Sequence, residues 1–362
     1  MTIRLSFFTI SDMERTFTYP ITGNAAGKDL RTFLRGEGYS RHILASIKPD
    51  PDAVLLNGTH VFLNHTLQEG DTLTIRVRDD VSSRNVVPSP VPFTVAYEDE
   101  DILVVDKPAH VAIHPAISHP ADTLANGVTW YYEQKGIPFV FRCINRLDRD
   151  TTGLLIVAKN LVSASILETA LQKRRIHRTY LAVAEGEIPE EGTIDLPIAR
   201  KEGSLIVRCV DAQRGERAVT HFRRLKENEL PAEFNRHGDM DSNSNHAVHC
   251  NNYIESSAPY SVAELHLETG RTHQIRVHMA AIGHPLLGDS LYNPSVIPLF
   301  DKENPKPGVP LPYGLARQAL HSWKLDFIHP VSKEPIHFEA PIPDDMLSLL
   351  RTVSAKGLPD SV

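Results

Sequence analysis

The spacing of apolar and polar positions changes period several times along the chain, and each change predicts an element. Near the start, Asp29-Leu-Arg-Thr-Phe-Leu-Arg35 is amphipathic, and Ser40-Arg-His-Ile-Leu-Ala-Ser-Ile47 continues at helical spacing behind a serine suited to an N-cap. Two short helices are expected. Between Ala53 and Leu63, two apolar runs are joined by Asn57-Gly58, a hairpin signal because both residues tolerate positive φ. Gly70-Asp71 then leads into Thr72-Leu-Thr-Ile-Arg-Val77, so a small sheet should back the helix pair. Pro88, Pro90 and Pro92 follow as a stiff polar linker, which divides the chain into a module over residues 1–87 and a larger domain over 88–362.

Beyond the linker, Ile102-Leu-Val-Val105 reads as a buried strand and Gly153-Leu-Leu-Ile-Val-Ala158 as another, with an amphipathic helix from Leu161 to Gln172 behind it. Tyr180 to Ala184, Leu205 to Val210, Ala218 to Phe222 and Val262 to Leu267 add strands, several alternating in the half-buried manner. Strands outnumber helices and few helices separate them. This predicts an α+β fold with a large mixed, mostly antiparallel sheet flanked by helices, not a doubly wound parallel sheet. Residues 228–257 break the pattern: polar, aperiodic and rich in Asn, Ser, His and Glu, they are expected to form a disordered insertion. His246, His249 and Cys250 lie within it without a fourth ligand at defined spacing, so no metal is expected.

Composition narrows the class. The 362 residues, 41% hydrophobic and 23% charged, describe a soluble globular protein with one large and one small domain. No apolar run is long enough to cross a bilayer. Three cysteines, Cys143, Cys209 and Cys250, show no CxxC spacing and point to a reducing, cytoplasmic setting. A net charge of −7 excludes a protein that coats nucleic acid indiscriminately. The charge is uneven, however: Arg142 to Arg178 holds eight Lys/Arg against three Asp/Glu, a local +5 that leaves −12 elsewhere. A selective anionic partner suits such a patch, although Lys173, Arg174 and Arg175 alone read as a solvated helix end.

The sharpest segment is Ile144-Asn-Arg-Leu-Asp-Arg-Asp-Thr-Thr-Gly-Leu-Leu-Ile-Val-Ala-Lys159, where charges run directly into an apolar strand. Taken alone it reads equally well as an ion-pair network that fixes a loop. Glu268-Thr-Gly-Arg-Thr-His-Gln-Ile-Arg-Val-His-Met279 reads as a strand end, a turn at Gly270 and a helix stopped by Gly283, with His273, Arg276 and Ala280 on one face. An arginine there can meet a carboxylate at the strand mouth.

Together these segments resemble the signature motifs of the RluA family of RNA pseudouridine synthases. Asp106-Lys107-Pro108 with Ile113-His114-Pro115 resembles the family's first motif, Arg146-Leu147-Asp148-Arg149-Asp150-Thr151-Thr152-Gly153 its catalytic motif, and Arg178-Thr179-Tyr180 its tyrosine motif. Gly270 to His278, followed by His284-Pro285-Leu286-Leu287-Gly288-Asp289, completes the series in the family's order. Asn145 departs from it, standing where the family usually has histidine.

The resemblance implies an isomerase that detaches uracil from ribose and rejoins it through carbon. Asp148 would be the essential carboxylate, Tyr180 the ring stacked on the target base and Arg276 the ion-pair partner of Asp148. Arg146, Leu147, Arg149, Lys107, Asn145 and Ile275 would contact the substrate, with Arg142 adding charge. Such a reaction leaves redox state and composition unchanged, so no cofactor is expected, and no Gly-rich phosphate loop or His-Glu-x-x-His signature is present. The partner implied is RNA, ribosomal rather than transfer RNA, bound by a monomer. Residues 1–87 resemble a ribosomal-protein-like RNA-binding module, with Arg31, Arg35, Arg41 and Lys48 as its RNA contacts. Two other readings compete: an RNA-binding protein without catalysis, and a hydrolase with Asp148 and Asp150 as paired carboxylates.

Overall fold

A computed structural model of the chain describes residues 14–79, 86–117, 119–230, 260–297 and 315–354. Of the expected insertion only Asn228 to Leu230 fall within them, around a short 3-10 turn at Glu227–Glu229; the remainder, with His246, His249 and Cys250, lies outside the described residues.

The first strands are β1 (Glu14–Pro20), β2 (Val54–Leu56), β3 (Thr59–His60) and β4 (Thr72–Arg78), paired antiparallel in the order β1-β4-β2-β3. The helices are α1 (Leu30–Gly36) and α2 (Arg41–Ile47). Both start where a side chain satisfies an orphan amide: Asp29 accepts from Thr32 N at 3.1 Å and Ser40 from Ile43 N at 3.3 Å. Asn57 (φ 51°) and Gly58 (φ 82°) make the two-residue turn between β2 and β3. Strand β1 has no counterpart in the expectations above.

Phe17, Leu30, Leu34, Ile43, Leu73 and Ile75 bury together, but Val162 from a later helix completes their core. Ser165 of that helix donates to the Gly38 carbonyl at 2.8 Å, and a Cβ on Gly38 would collide with Ile166. Arg15 grips buried Asp101 with Nε and Nη2, both at 3.0 Å. The proline segment also packs: the Asn126 side chain donates to the Val87 carbonyl at 2.7 Å, and Val91 lies against Gly127 in α3 (Leu124–Glu133).

The large sheet has nine strands: β5 (Thr94–Glu98), β6 (Ile102–Lys107), β7 (Thr152–Ala158), β8 (His177–Glu185), β9 (Glu191–Asp195), β12 (Val219–Arg224), β13 (Tyr260–Leu267), β14 (Leu320–Ile328) and β15 (Pro335–Glu339). Its order is β5-β6-β7-β14-β8-β13-β12-β9, with β15 on β14, and only the β7–β14 pair is parallel. The α+β expectation therefore holds. Strand β7 is buried throughout, which explains its unbroken apolar run. The remaining helices are α4 (Leu161–Gln172), α5 (Gln274–Ala281) and α6 (Asp344–Ser354).

One expected strand is shorter. Between Leu205 and Val210 only β11 (Arg208–Val210) forms, pairing with β10 (Ile198–Arg200), while Leu205 and Ile206 are exposed. The Ser204 hydroxyl accepts from Ile206 N at 3.2 Å and Val207 N at 2.9 Å, and this local turn competes with the ladder. No described helix is long and apolar enough to cross a membrane.

Candidate active site

The turn before β7 supplies the first charge. Thr151 N donates to the Asp148 carbonyl at 3.2 Å, and three side chains hold the turn, two through its backbone and one through the Thr151 hydroxyl. Lys107 Nζ donates to the carbonyls of Pro108 (2.8 Å), Val111 (2.9 Å) and Arg149 (2.9 Å). Arg317 reaches the Asp150 carbonyl at 3.3 Å while gripping Asp345 at 2.7 and 2.8 Å, and Gln318 donates to the Thr151 hydroxyl at 3.1 Å. Gly153 (φ 105°) then leads into β7, where a Cβ would collide with the Ser322 carbonyl of β14. Asp148 thus projects from a fixed backbone, with its side chain 19% exposed.

The second charge comes from α5. His273, left-handed at φ 58°, precedes the helix, and Gln274 ties down the loop from β13. Its carbonyl oxygen accepts from the Thr269 hydroxyl (2.8 Å) and Arg271 N (3.0 Å), and its amide donates to the Val219 carbonyl (2.9 Å). Arg276 is buried and bidentate to Asp289, with Nε to Oδ2 at 2.7 Å and Nη2 to Oδ1 at 2.9 Å. Its Nη1 remains for Asp148 Oδ2, at 3.2 Å. Burial acts to lower the Arg276 pKa, but the bonds to Asp289 and the charges of Asp289 and Asp148 outweigh it and hold the pKa above its usual value.

Further groups lock this arrangement. The Tyr292 ring lies 5.1 Å from the Arg276 guanidinium, a cation–π distance. Its hydroxyl, whose pKa burial pushes up to about 12, bonds His273 Nδ1 at 2.7 Å. Asp289 is wholly buried and also accepts from Leu291 N (2.9 Å) and Tyr292 N (3.1 Å). Among the described residues no second hydrogen bond reaches the Asp148 carboxylate, so one of its oxygens faces the cavity.

That cavity is lined by Arg146, Leu147, Asp148, Arg178, Tyr180, Ile275 and Arg276, with the 267–274 loop as one wall. Tyr180 of β8 is 3% exposed; burial raises the pKa of its phenol, and Arg178 and Ser322 counter that rise. The model of the family described as RNA pseudouridylate synthase matches residues 101–281, which contain this constellation except Asp289, Tyr292, Arg317, Gln318, Ser322 and Asp345.

The chain belongs to the RNA pseudouridylate synthase family. It is 36% identical to "Uncharacterized RNA pseudouridine synthase YjbO" of Bacillus subtilis (strain 168) over 87% of this chain and 95% of that one. It is 35% identical to "Ribosomal large subunit pseudouridine synthase D" of Xanthomonas campestris pv. campestris over 88% of this chain and 87% of that one. A solved structure, "Human RNA Pseudouridylate Synthase Domain Containing 1", is 26% identical, covers 70% of this chain and 84% of that one, and aligns with TM-score 0.47. As a pseudouridine synthase the chain is an isomerase whose substrate is RNA.

Within this synthase, Asp148, Tyr180 and Arg276 meet at one cavity together with Arg146, Leu147 and Ile275. Three residues expected to touch the substrate, Lys107, Asn145 and Arg149, do not line this cavity. Lys107 has zero exposure and all three of its ammonium protons engaged by carbonyls, although burial pushes its pKa down to about 7; it positions the turn after Asp148. Asn145 is 2% exposed and accepts from Ile156 N at 2.9 Å, bracing β7. A lysine or asparagine in a loop reads as a surface group, and only the packing reveals otherwise. Arg149 is exposed beside Asp150 at 3.3 Å. Asp150 is held by His110 at 2.8 Å and does not line the cavity, so of these two carboxylates only Asp148 meets both Arg276 and the cavity. Asp289 and Tyr292 carry no role in the sequence reading; the Gly288-Asp289 turn was the available signal.

Proposed function

We propose that this synthase isomerises specific uridines in structured ribosomal RNA to pseudouridine, with Asp148 as the catalytic carboxylate, Tyr180 as the ring against which the flipped base lies and Arg276 as the partner that orients Asp148. The observation that carries this reading is the half-used carboxylate: Arg276 spends two bonds on Asp289 and one on Asp148, which leaves an Asp148 oxygen open to the cavity. Uracil is a poor leaving group, so a charged, oriented carboxylate must bond the ribose or base or take a ribose proton. The flipped base costs about a few kcal/mol to unstack, which Tyr180, Leu147, Ile275 and exposed Arg146 would offset. The relatives named for the large ribosomal subunit support ribosomal RNA as the source of the uridine.

We assign residues 1–87 to RNA binding and 88–362 to chemistry, in a cytoplasmic monomer. Arg31, Arg35, Arg41 and Lys48 are exposed and have no ion-pair partner among the described residues. Arg31 and Lys48 flank a hollow that also holds Phe62, 69% exposed, an aromatic surface suited to an unpaired base. Mapping pseudouridines at nucleotide resolution in cells with and without the gene tests the whole reading. Loss of one or a few sites in the large-subunit ribosomal RNA is expected; an unchanged ribosomal map with losses confined to transfer RNA would overturn the choice of substrate.

A further inference from the structure

A second arginine faces the cavity without a counter-charge. Arg178 of β8 is 8% exposed, makes no ion pair among the described residues, touches the Tyr180 hydroxyl as its polar neighbour, and leaves its buried Nε unsatisfied. Every other buried arginine described here is consumed: Arg276 by Asp289 and Asp148, Arg317 by Asp345. A guanidinium removed from water without an anionic partner, and with a buried N–H unpaired, costs several kcal/mol, so such a group is kept where a ligand completes it. Arg178 lines the cavity, and it lies two residues from Tyr180, hence on the same face of β8. Its Nη1 packs near Gly270, where a Cβ would stand 3.5 Å away.

Two parts of a flipped nucleotide offer acceptors: the phosphates and the carbonyl oxygens of the base. Phosphates stay with the RNA strand at the cavity mouth, where Arg146 is exposed, whereas Arg178 is nearly as buried as the Tyr180 ring. We infer that Arg178 donates to a carbonyl oxygen of the target uracil and stabilises the negative charge that the base acquires as it detaches. This rests on the isomerase assignment and adds a catalytic residue to it.

The bond between N1 and the ribose C1′ breaks with its electron pair remaining on the base, which becomes the uracil anion with charge spread over N1, O2 and O4. The deficit at C1′ is met through Asp148, which bonds C1′ or takes the C2′ proton as the C–H pair moves into the C1′–C2′ bond. C5 of the base then bonds C1′, Asp148 returns to its starting state, the C5 proton departs and N1 gains a proton. Composition is unchanged and no co-reactant is needed. Arg178 stays protonated and contributes hydrogen bonds that strengthen as charge moves onto the carbonyl oxygens.

The test compares wild type, Arg178→Met and Arg178→Lys on a ribosomal RNA fragment containing the mapped target, carrying uridine or 5-fluorouridine at that position. Single-turnover loss of the starting nucleoside and RNA affinity are measured. On uridine, Arg178→Met should slow the reaction by about 10²–10³-fold, the cost of losing one oxyanion donor, with affinity held within about threefold. Arg178→Lys should recover part of the rate. On 5-fluorouridine, whose base leaves more readily, the penalty should shrink by about tenfold or more. An unchanged rate, or an equal penalty on both substrates accompanied by weakened binding, would overturn the inference; the latter result would assign Arg178 to a phosphate. The wild-type rate on uridine reports separately on the isomerase reading, since it does not depend on Arg178 being altered.

Discussion

Among the described residues two arginines grip a buried aspartate with two nitrogens, and their surroundings separate scaffolding from chemistry. Where the first small sheet meets the large one, Arg15 holds Asp101, and Asn160 adds a bond to the same carboxylate at 2.8 Å. Asp101 is thereby used up: its side chain is 5% exposed and it lines neither the active-site cavity nor the hollow beside Phe62. At the active site Arg276 holds Asp289 in the same manner, but its third contact goes to Asp148, which is 19% exposed and faces a cavity. The residue types are the same in both places. A carboxylate with every oxygen satisfied stabilises a fold, whereas one held at a single point is oriented and still available to a substrate.

Substitutions can sharpen or break this contrast. Tyr180→Phe should retain the ring and RNA affinity while turnover falls by about two to four orders of magnitude if the hydroxyl takes part in proton transfer. Single-turnover pseudouridine formation measures this, and unchanged turnover would reduce the tyrosine to a surface for the base. For Asp289→Asn, Arg276 loses its buried counter-charge and its fixed position; activity should fall by about 10²-fold, with a stability loss of roughly 3 kcal/mol in denaturant melts. Full activity in that variant would show that Asp148 needs no such support.

The same change at the other cluster should separate the two effects. Asp101→Asn should lower stability by roughly 2 kcal/mol, because Arg15 loses its partner, yet leave the single-turnover rate within about twofold of wild type. A large rate loss there would mean that the seam communicates with the site. The smallest effect is expected at the surface hollow: reversing Arg31 and Lys48 to glutamate should weaken RNA binding and reduce its salt slope by about 1–2, with the rate at saturating RNA unchanged. An unaltered salt slope would place the RNA elsewhere.

How far the sequence reveals these features depends on how local they are. The cap at Ser40, the Asn57-Gly58 turn and helix Leu161–Gln172 were legible because each depends on neighbours a few residues away. Strand β14 was not, although it lies between β7 and β8 in the sheet: its His321 and Ser322 interrupt the apolar run, and their partners, Thr152 (2.8 Å) and the Leu154 carbonyl (2.9 Å), are distant in sequence. Motif order brought Asp148, Tyr180 and Arg276 into view. What it could not convey is burial, which turns Lys107 from an RNA contact into a brace and leaves Arg178 a cation without a counter-charge. The proline segment likewise separates two units along the chain, yet Val162 and the Arg15–Asp101 pair join them in space. A chain starting at Pro88 would expose Val162 and strip Asp101 of its arginine.

The account turns on Asp148, and Asp148→Asn tests it most directly because the amide preserves shape while removing the charge that faces the cavity. Measured under single-turnover conditions on the mapped ribosomal RNA target, this variant should fold, bind RNA with near-wild-type affinity and form no detectable pseudouridine. Substantial conversion by the folded variant would contradict the central claim and move the chemistry to another group.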